Sequence, residues 1–242
     1  MKNQLKEIII ATAIVLSAFI LKSAYTAKNH SNDTISVTGL GETSFVSDLI
    51  VWKGTFSRKD VNLKQAYTDL NNDRVFIKKY LLSNGIKEKQ LVFSSVVITK
   101  EFDYVTDNSG NNIPNFTGYK LEQTIEVESK EVDKVEGISR QVSELINSGV
   151  EFYSQSPEYF YTKLSELKLK MISQATKDAT NRAEKIAENA GSSLGKLKNA
   201  DMGVFQIVAQ NSSEDYSWGG SFNTSSKKKK ANVTIKMNFM LD

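Results

Sequence analysis

The chain contains no cysteine, a single histidine and only two prolines in 242 residues. Without cysteine there can be no disulfide, no cysteine-ligated zinc and no thiol nucleophile. The lone histidine, His30, lies in a polar stretch just beyond an apolar run and is expected to be solvated, with no catalytic or metal role. Metal binding would then rest on carboxylates alone, and these recur at helical spacings that make surface pairs rather than ligand clusters. A net charge of +3 is too weak to point to nucleic acid. No GxSxG, GxxxxGK[ST] or HExxH pattern is present. Gly39-Leu40-Gly41 begins like a dinucleotide loop, but Ser44 stands where the third glycine belongs and no helix follows. Ser and Thr are plentiful, yet none has a nearby base to activate it. The chain therefore reads as non-enzymatic and without a cofactor, with hydrolysis only a formal alternative.

Long apolar runs are absent except at the N-terminus. After MKNQLKE comes Ile8–Leu21 (IIIATAIVLSAFIL), interrupted only by Thr12 and Ser17. Fourteen helical residues span about 21 Å, short of the ~30 Å hydrocarbon core of a bilayer. That length suits a signal-peptide core, but Lys22 and Tyr25 stand where a cleavage site wants small residues. If Lys22 snorkels, the span extends to Ala27 as an uncleaved transmembrane anchor. Residues 1–28 are read as a signal or membrane anchor, with retention favoured over cleavage, 29–33 as a linker and 34–242 as the folded domain. The protein is thus expected in the cell envelope: anchored in the inner membrane with its domain in the periplasm or outside, or released to the periplasm if cleaved.

In the remainder, hydrophobic periodicity gives the order β-β-α-β-β-α-β-α-β-β, an α+β fold of mainly antiparallel sheet with helices on one face. The expected elements are strands Thr34–Glu42 and Phe45–Ser57, then a helix Val61–Leu82 with Asp60 as its cap and Gly85 as its stop. A strand Gln90–Tyr104, a turn Asp107–Asn112 and a returning strand Phe116–Ser129 follow. Next come a helix Val132–Asn147, a strand Val150–Thr162, a long helix, a strand Lys196–Gln210 and a closing strand Asn232–Leu241. The long helix has Leu164, Leu167, Met171, Ala175, Ala179, Ala183, Ile186 and Ala190 on one face, with Ser165 or Thr162 as cap and Gly191 as stop. Its alanine-rich half should lie tightly on a sheet or a neighbouring helix.

Asn211–Ser226 (NSSEDYSWGGSFNTSS) has loop composition. Tyr216, Trp218 and Phe222 among Gly and Ser make a candidate membrane or partner contact, since exposed aromatics carry much of an interface's energy. Lys227 and Lys228 beside them would favour an anionic surface. The run Lys227–Lys230 as a whole reads as a solvated strand entrance.

Three segments carry a family resemblance: ISVTGLGE at Ile35–Glu42, the block Tyr159–Leu197 continuing through LGKLKNADMGVFQI, and the final alternating strand. Together they resemble the SIMPL-domain family, which includes bacterial periplasmic immunogenic proteins, over about Thr34–Asp242. The resemblance implies an exported or envelope-associated protein without enzyme activity, in some members tied to stress responses, that assembles with itself or with another envelope protein. Two functions follow. One is a membrane-tethered protein that self-associates through sheet edges or the Ala-rich helix face. The other is a monomeric partner- or ligand-binding module acting through the 211–226 loop.

Overall fold

The computed structural model describes residues 2–30, 33–106, 110–213 and 217–241. It is an α+β protein with an N-terminal helix and two mainly antiparallel sheets.

Helix α1 (Lys2–His30) runs two residues further than expected, through Asn29 and His30. Every side chain described on it, Ile10–Ser23 and Tyr25, is exposed, and the apolar ones occupy all sides of the helix. Among the described residues no helix is long and apolar enough to cross a membrane.

The first sheet is built from strands distant in sequence. β1 (Thr34–Val46) pairs along its whole length with the last strand, β11 (Lys228–Leu241). On its other edge β11 pairs with β8 (Leu194–Met202) and β9 (Gln206–Ala209), and β9 takes the two-residue β10 (Ser221–Phe222) in parallel. Helix α5 (Leu164–Asn189) covers this sheet.

The tight helix-on-sheet contact expected of the alanines is present. Leu167, Met171, Ala175, Ala179, Ala183 and Ala187 are buried. Ile186 is exposed instead, because steps of four advance about 40° each and carry the stripe to Ala187. The small side chains let α5 lie directly on Gly39 and Gly41 of β1. A Cβ on Gly39 would sit 2.5 Å from Ala179 N, and one on Gly41 would strike the Met171 carbonyl. The Gly-Leu-Gly motif is thus the counterpart of the Ala stripe. Asp178 of α5 pins the same edge strand by accepting the Leu40 amide at 2.8 Å. The helix stops as expected at Gly191, whose φ of +77° suits a residue without Cβ, with Ser192 N–H closing onto Ala187 O at 3.0 Å. Its start differs. Lys163 occupies the cap position without a side-chain bond, because Thr162 is engaged elsewhere.

The second sheet is an insertion between β1 and α5. β2 (Leu49–Asp60) and β5 (Asn112–Ser129) form its centre. β3 (Leu91–Phe93) and β4 (Val97–Thr106) pair with the far edge of β5, and β6 (Phe152–Ser154) and β7 (Glu158–Phe160) with the far edge of β2. Helices α2 (Leu63–Ser83), α3 (Val132–Arg140) and α4 (Ser143–Asn147) cover its inner face over Ile50, Trp52, Phe56, Leu121, Ile125 and Val127.

Several boundaries are corrections. α2 is capped by Asn62, which accepts Lys64 N–H at 2.9 Å, while Asp60 sits two residues outside and accepts the Asn62 amide. The strand expected at Gln90–Tyr104 breaks at Ser94–Val96, where Ser94 Oγ accepts the Thr124 amide at 3.0 Å. The helix expected at Val132–Asn147 breaks near Gln141, whose carbonyl accepts the Tyr80 hydroxyl at 3.3 Å. The strand expected at Val150–Thr162 breaks before Pro157, which has no ladder N–H to give. The expected strand Lys196–Gln210 breaks at Gly203–Phe205. Residues 107–109 of the expected turn lie outside the described residues.

The two sheets define two lobes. Each has its own buried apolar cluster, and neither cluster contains a residue of the other. All substantial packing between elements falls within one lobe.

Candidate functional sites at the lobe joint, the aromatic turn and the arm

Three surfaces stand out, and the sequence pointed to only one of them.

The first is the joint between lobes, which is mostly polar. The chain crosses at Ser47–Asp48 and again at Tyr161–Lys163. Asp48 staples the crossings: its carboxylate accepts both the amide and the hydroxyl of Thr162 at 2.7 Å, and its own amide donates to Phe160 O at 3.0 Å. The segment before β11 then docks on the second lobe. Tyr159 N–H donates to Thr224 O at 2.7 Å, Ser47 N–H donates to Lys227 O at 2.9 Å, and Lys227 Nζ reaches Asp133 and, at 3.1 Å, Glu136 of α3. Asp133 first, then Glu136, hold the Lys227 ammonium above its ordinary pKa.

Glu136 is the hub, pairing with Lys227 at 3.1 Å and Arg140 at 2.5 Å. Burial first, and then the Glu136 carboxylate, raise the Tyr159 pKa. A cavity of about 250 Å³ opens beside this hub, lined by Ser139, Arg140, Ser154, Ser156 and Tyr159 among others. The Glu136 carboxylate is held between the two cations Lys227 and Arg140. Sequence alone offered no signal, since Asp48 and Thr162, or Lys227 and Asp133, meet only through the fold.

The lysine run is corrected here. Lys227 forms the bridge just described, Lys229 is fully buried with Nζ donating to Asn223 O, and Lys230 pairs with Glu42 at 2.9 Å. Only Lys228 of the four has an exposed side chain, because β11 begins within the run and alternation turns Lys229 inward. The run is therefore woven into the first lobe and the joint and is not a free cationic face.

The second surface is the loop. Tyr216 lies outside the described residues. Trp218 is 100% exposed, and Phe222 is 47% exposed on β10. Trp218 sits on a turn tied down from below: the buried Gln206 side chain donates to Ser217 O at 2.7 Å and accepts Ser217 N–H at 3.3 Å. The structure therefore brings Trp218 and Phe222 to one sheet edge, but it spends Lys227 on α3.

The third surface is an arm that the sequence did not single out. β4 and the first half of β5 form a two-stranded ribbon carrying Ile98, Phe102, Tyr104, Val105, Ile113 and Phe116, all exposed. Phe102, Phe116 and Tyr119 stack edge-on at 5.7 and 5.1 Å. The even-numbered side chains of β4 continue the face that carries buried Leu121, but α2 does not extend over them. An apolar hollow of about 660 Å³ remains between Leu63 and Tyr67 of α2 and Ile98 of the arm. The outer edge of β4 pairs with no described strand. The signal was available: VITKEFDYVT carries apolar residues on both faces, unlike the clean alternation of β5.

Among the described residues no group of three or more metal-ligating side chains comes together. The fold and these surfaces define a two-lobed α+β protein whose conspicuous features are uncovered apolar and aromatic residues. The SIMPL family, described as a protein of unknown function (DUF541), matches residues 35–238, and the chain belongs to it. No curated protein matches the chain.

Proposed function

We propose that this chain is a non-enzymatic protein of the cell envelope, held at the membrane by α1, and that it works by contact, first of all with copies of itself through the β4–β5 arm. The observation that carries this is the arm: a ribbon apolar on both faces, with a free edge and a hollow beside it. A two-stranded ribbon is marginally stable alone in water. An uncovered apolar edge is a template for pairing. Support for the membrane comes from α1, whose apolar residues on all sides suit an apolar surrounding rather than water.

Light scattering on the full chain in detergent tests self-association. The chain should be multimeric at micromolar concentration, and Phe102→Glu with Val105→Lys should make it monomeric while it remains folded by circular dichroism, with the melting temperature falling as the association is lost. A monomeric parent would end the proposal. Retention of α1 predicts an intact N-terminus in the membrane fraction, read by the mass of the native protein.

A second reading rests on the tied turn at Trp218. A fully exposed Trp on a turn whose backbone is tied down is a good partner anchor, because an indole has only two side-chain torsions to fix on docking. Here the protein would be a monomeric binding module, and Trp218→Ser with Phe222→Ser would abolish partner binding at unchanged stability.

A further inference from the structure

We propose that the lobe joint is a hinge and that Lys227 is its latch. This goes beyond the contact function and holds whether or not the arms pair. Two features support a hinge here. The apolar clusters of the two lobes share no residue, so no common core resists a change of angle. Lobes that meet through a small polar interface move relative to one another unless something fixes them. The covalent crossings are two short extended segments next to each other, joined by the Asp48–Thr162 staple, which is the form a pivot takes. Rotation about the staple leaves it intact but must break the Lys227 contact on α3 and the Tyr159–Thr224 hydrogen bond.

The latch is built for that role. Lys227 belongs to the first lobe through the start of β11, and its side chain, 26% exposed, bridges Asp133 and Glu136 of the second. Glu136 stays paired with Arg140 when Lys227 leaves, so opening strands no charge on α3. The segment carrying the latch also ends the loop that presents Trp218. Gln206 ties one end of that loop to the first lobe, while Thr224 and Lys227 tie the other to β7 and α3. Between them β10 pairs with β9 and Asn223 N–H donates to Ile207 O, so the Trp218 turn stays with the first lobe when the angle changes.

Absence of native cysteine makes the test direct. Spin labels at Lys79→Cys on α2 and Lys177→Cys on α5, both exposed, report the inter-lobe distance by pulsed electron resonance. The labelled full chain is diluted in detergent with unlabelled protein so that only distances within one chain are read.

At low salt the distribution should be single and narrow. Lys227→Met should add a second, broader population, raising the open fraction roughly threefold or more, the range for losing two partly exposed ion pairs. The unaltered latch at about 1 M salt, where the Debye length falls to about 3 Å, should move the same way and covers the case in which the variant folds poorly. Lys227→Arg should keep the narrow distribution, and so should Lys230→Met, which removes a pair within the first lobe. A distribution that stays narrow in both Lys227→Met and high salt overturns the hinge. One that is already broad in the parent at low salt, or broadened equally by Lys230→Met, overturns the latch.

Discussion

Gly39→Ala should loosen α5 from its sheet and destabilise the first lobe more than a single methyl group normally does. The added Cβ would lie 2.5 Å from Ala179 N and 2.7 Å from Ala179 Cβ, and it would also overlap the Ala175 carbonyl. None of these atoms belongs to a flexible side chain that can swing away. The helix must retreat by about 1 Å to restore ordinary contact, taking with it Met171, Ala175, Ala179 and Ala183, all fully buried. Overpacking a well-packed core costs about 1–3 kcal/mol, and a backbone obstacle places this case at the upper end. For a cooperative unit of 60–100 residues, about 3 kcal/mol corresponds to a fall in melting temperature of roughly 12–24 °C. Scanning calorimetry of the full chain in detergent gives the first lobe's transition, while Trp52 fluorescence follows the second lobe, where that indole is fully buried. The matched control is Gly137→Ala in α3, where a Cβ meets nothing within 4 Å. Filling that helical position should raise the second lobe's stability by about 0.5–1 kcal/mol. A Gly39→Ala protein that melts within about 3 °C of the parent, less than ~1 kcal/mol on the same scale, would refute the close-packing account.

Other perturbations separate the remaining interactions. Asp73 is buried in α2 and binds Arg58 through two bonds of 2.5 and 2.7 Å, while Arg58 also donates to Gly149 O at 2.8 Å. Asp73→Ala should cost about 2–4 kcal/mol in urea unfolding followed by Trp52, because it leaves a half-buried guanidinium without its carboxylate. A cost near zero would mean that Arg58 escapes to water. Asp178 has its pKa lowered, by the Leu40 amide first and then by Arg182. Its folded carboxyl therefore titrates below the unfolded one; the stabilisation is whole above the unfolded pKa and is lost as pH falls through the folded value. Acid melting of the first lobe below about pH 4 should flatten in Asp178→Asn, and an unchanged pH slope would remove Asp178 from that role.

Much of the fold was legible because periodicity reports which face of an element is buried. The alternation of β5 and β11, the stripe of α5 from Leu167 to Ala183 and its Gly191 stop stand where the residues placed them, whereas Ile186 and Ala190 turn outward and Ala187 is buried instead. What periodicity cannot report is the partner. β1 pairs with a strand at the other end of the chain, so division into two lobes became visible only once that pairing closed. The breaks at Ser94–Val96 and before Pro157 escaped notice because apolar residues continue across them, and only side-chain bonds such as Ser94 to Thr124 mark the interruption. Trp218 and Phe222 were recognisable by composition. The arm left a trace in the apolar residues on both faces of β4, but whether Phe102 is exposed or buried like Phe56 depends on the reach of α2, which periodicity does not report. The lysine run misled for the opposite reason, since charge suggested solvent while strand alternation placed Lys229 in the interior.

The central claim, self-contact through the arm, is most directly tested by disulfide trapping in the membrane fraction. Tyr104, 70% exposed on β4, is replaced by Cys in this cysteine-free chain, with Lys177→Cys on α5 as the matched control. Mild oxidation should convert Tyr104→Cys to a covalent dimer while Lys177→Cys stays monomeric, and Phe102→Glu should suppress the dimer. Equal trapping at both positions, or none at Tyr104→Cys, would contradict the account.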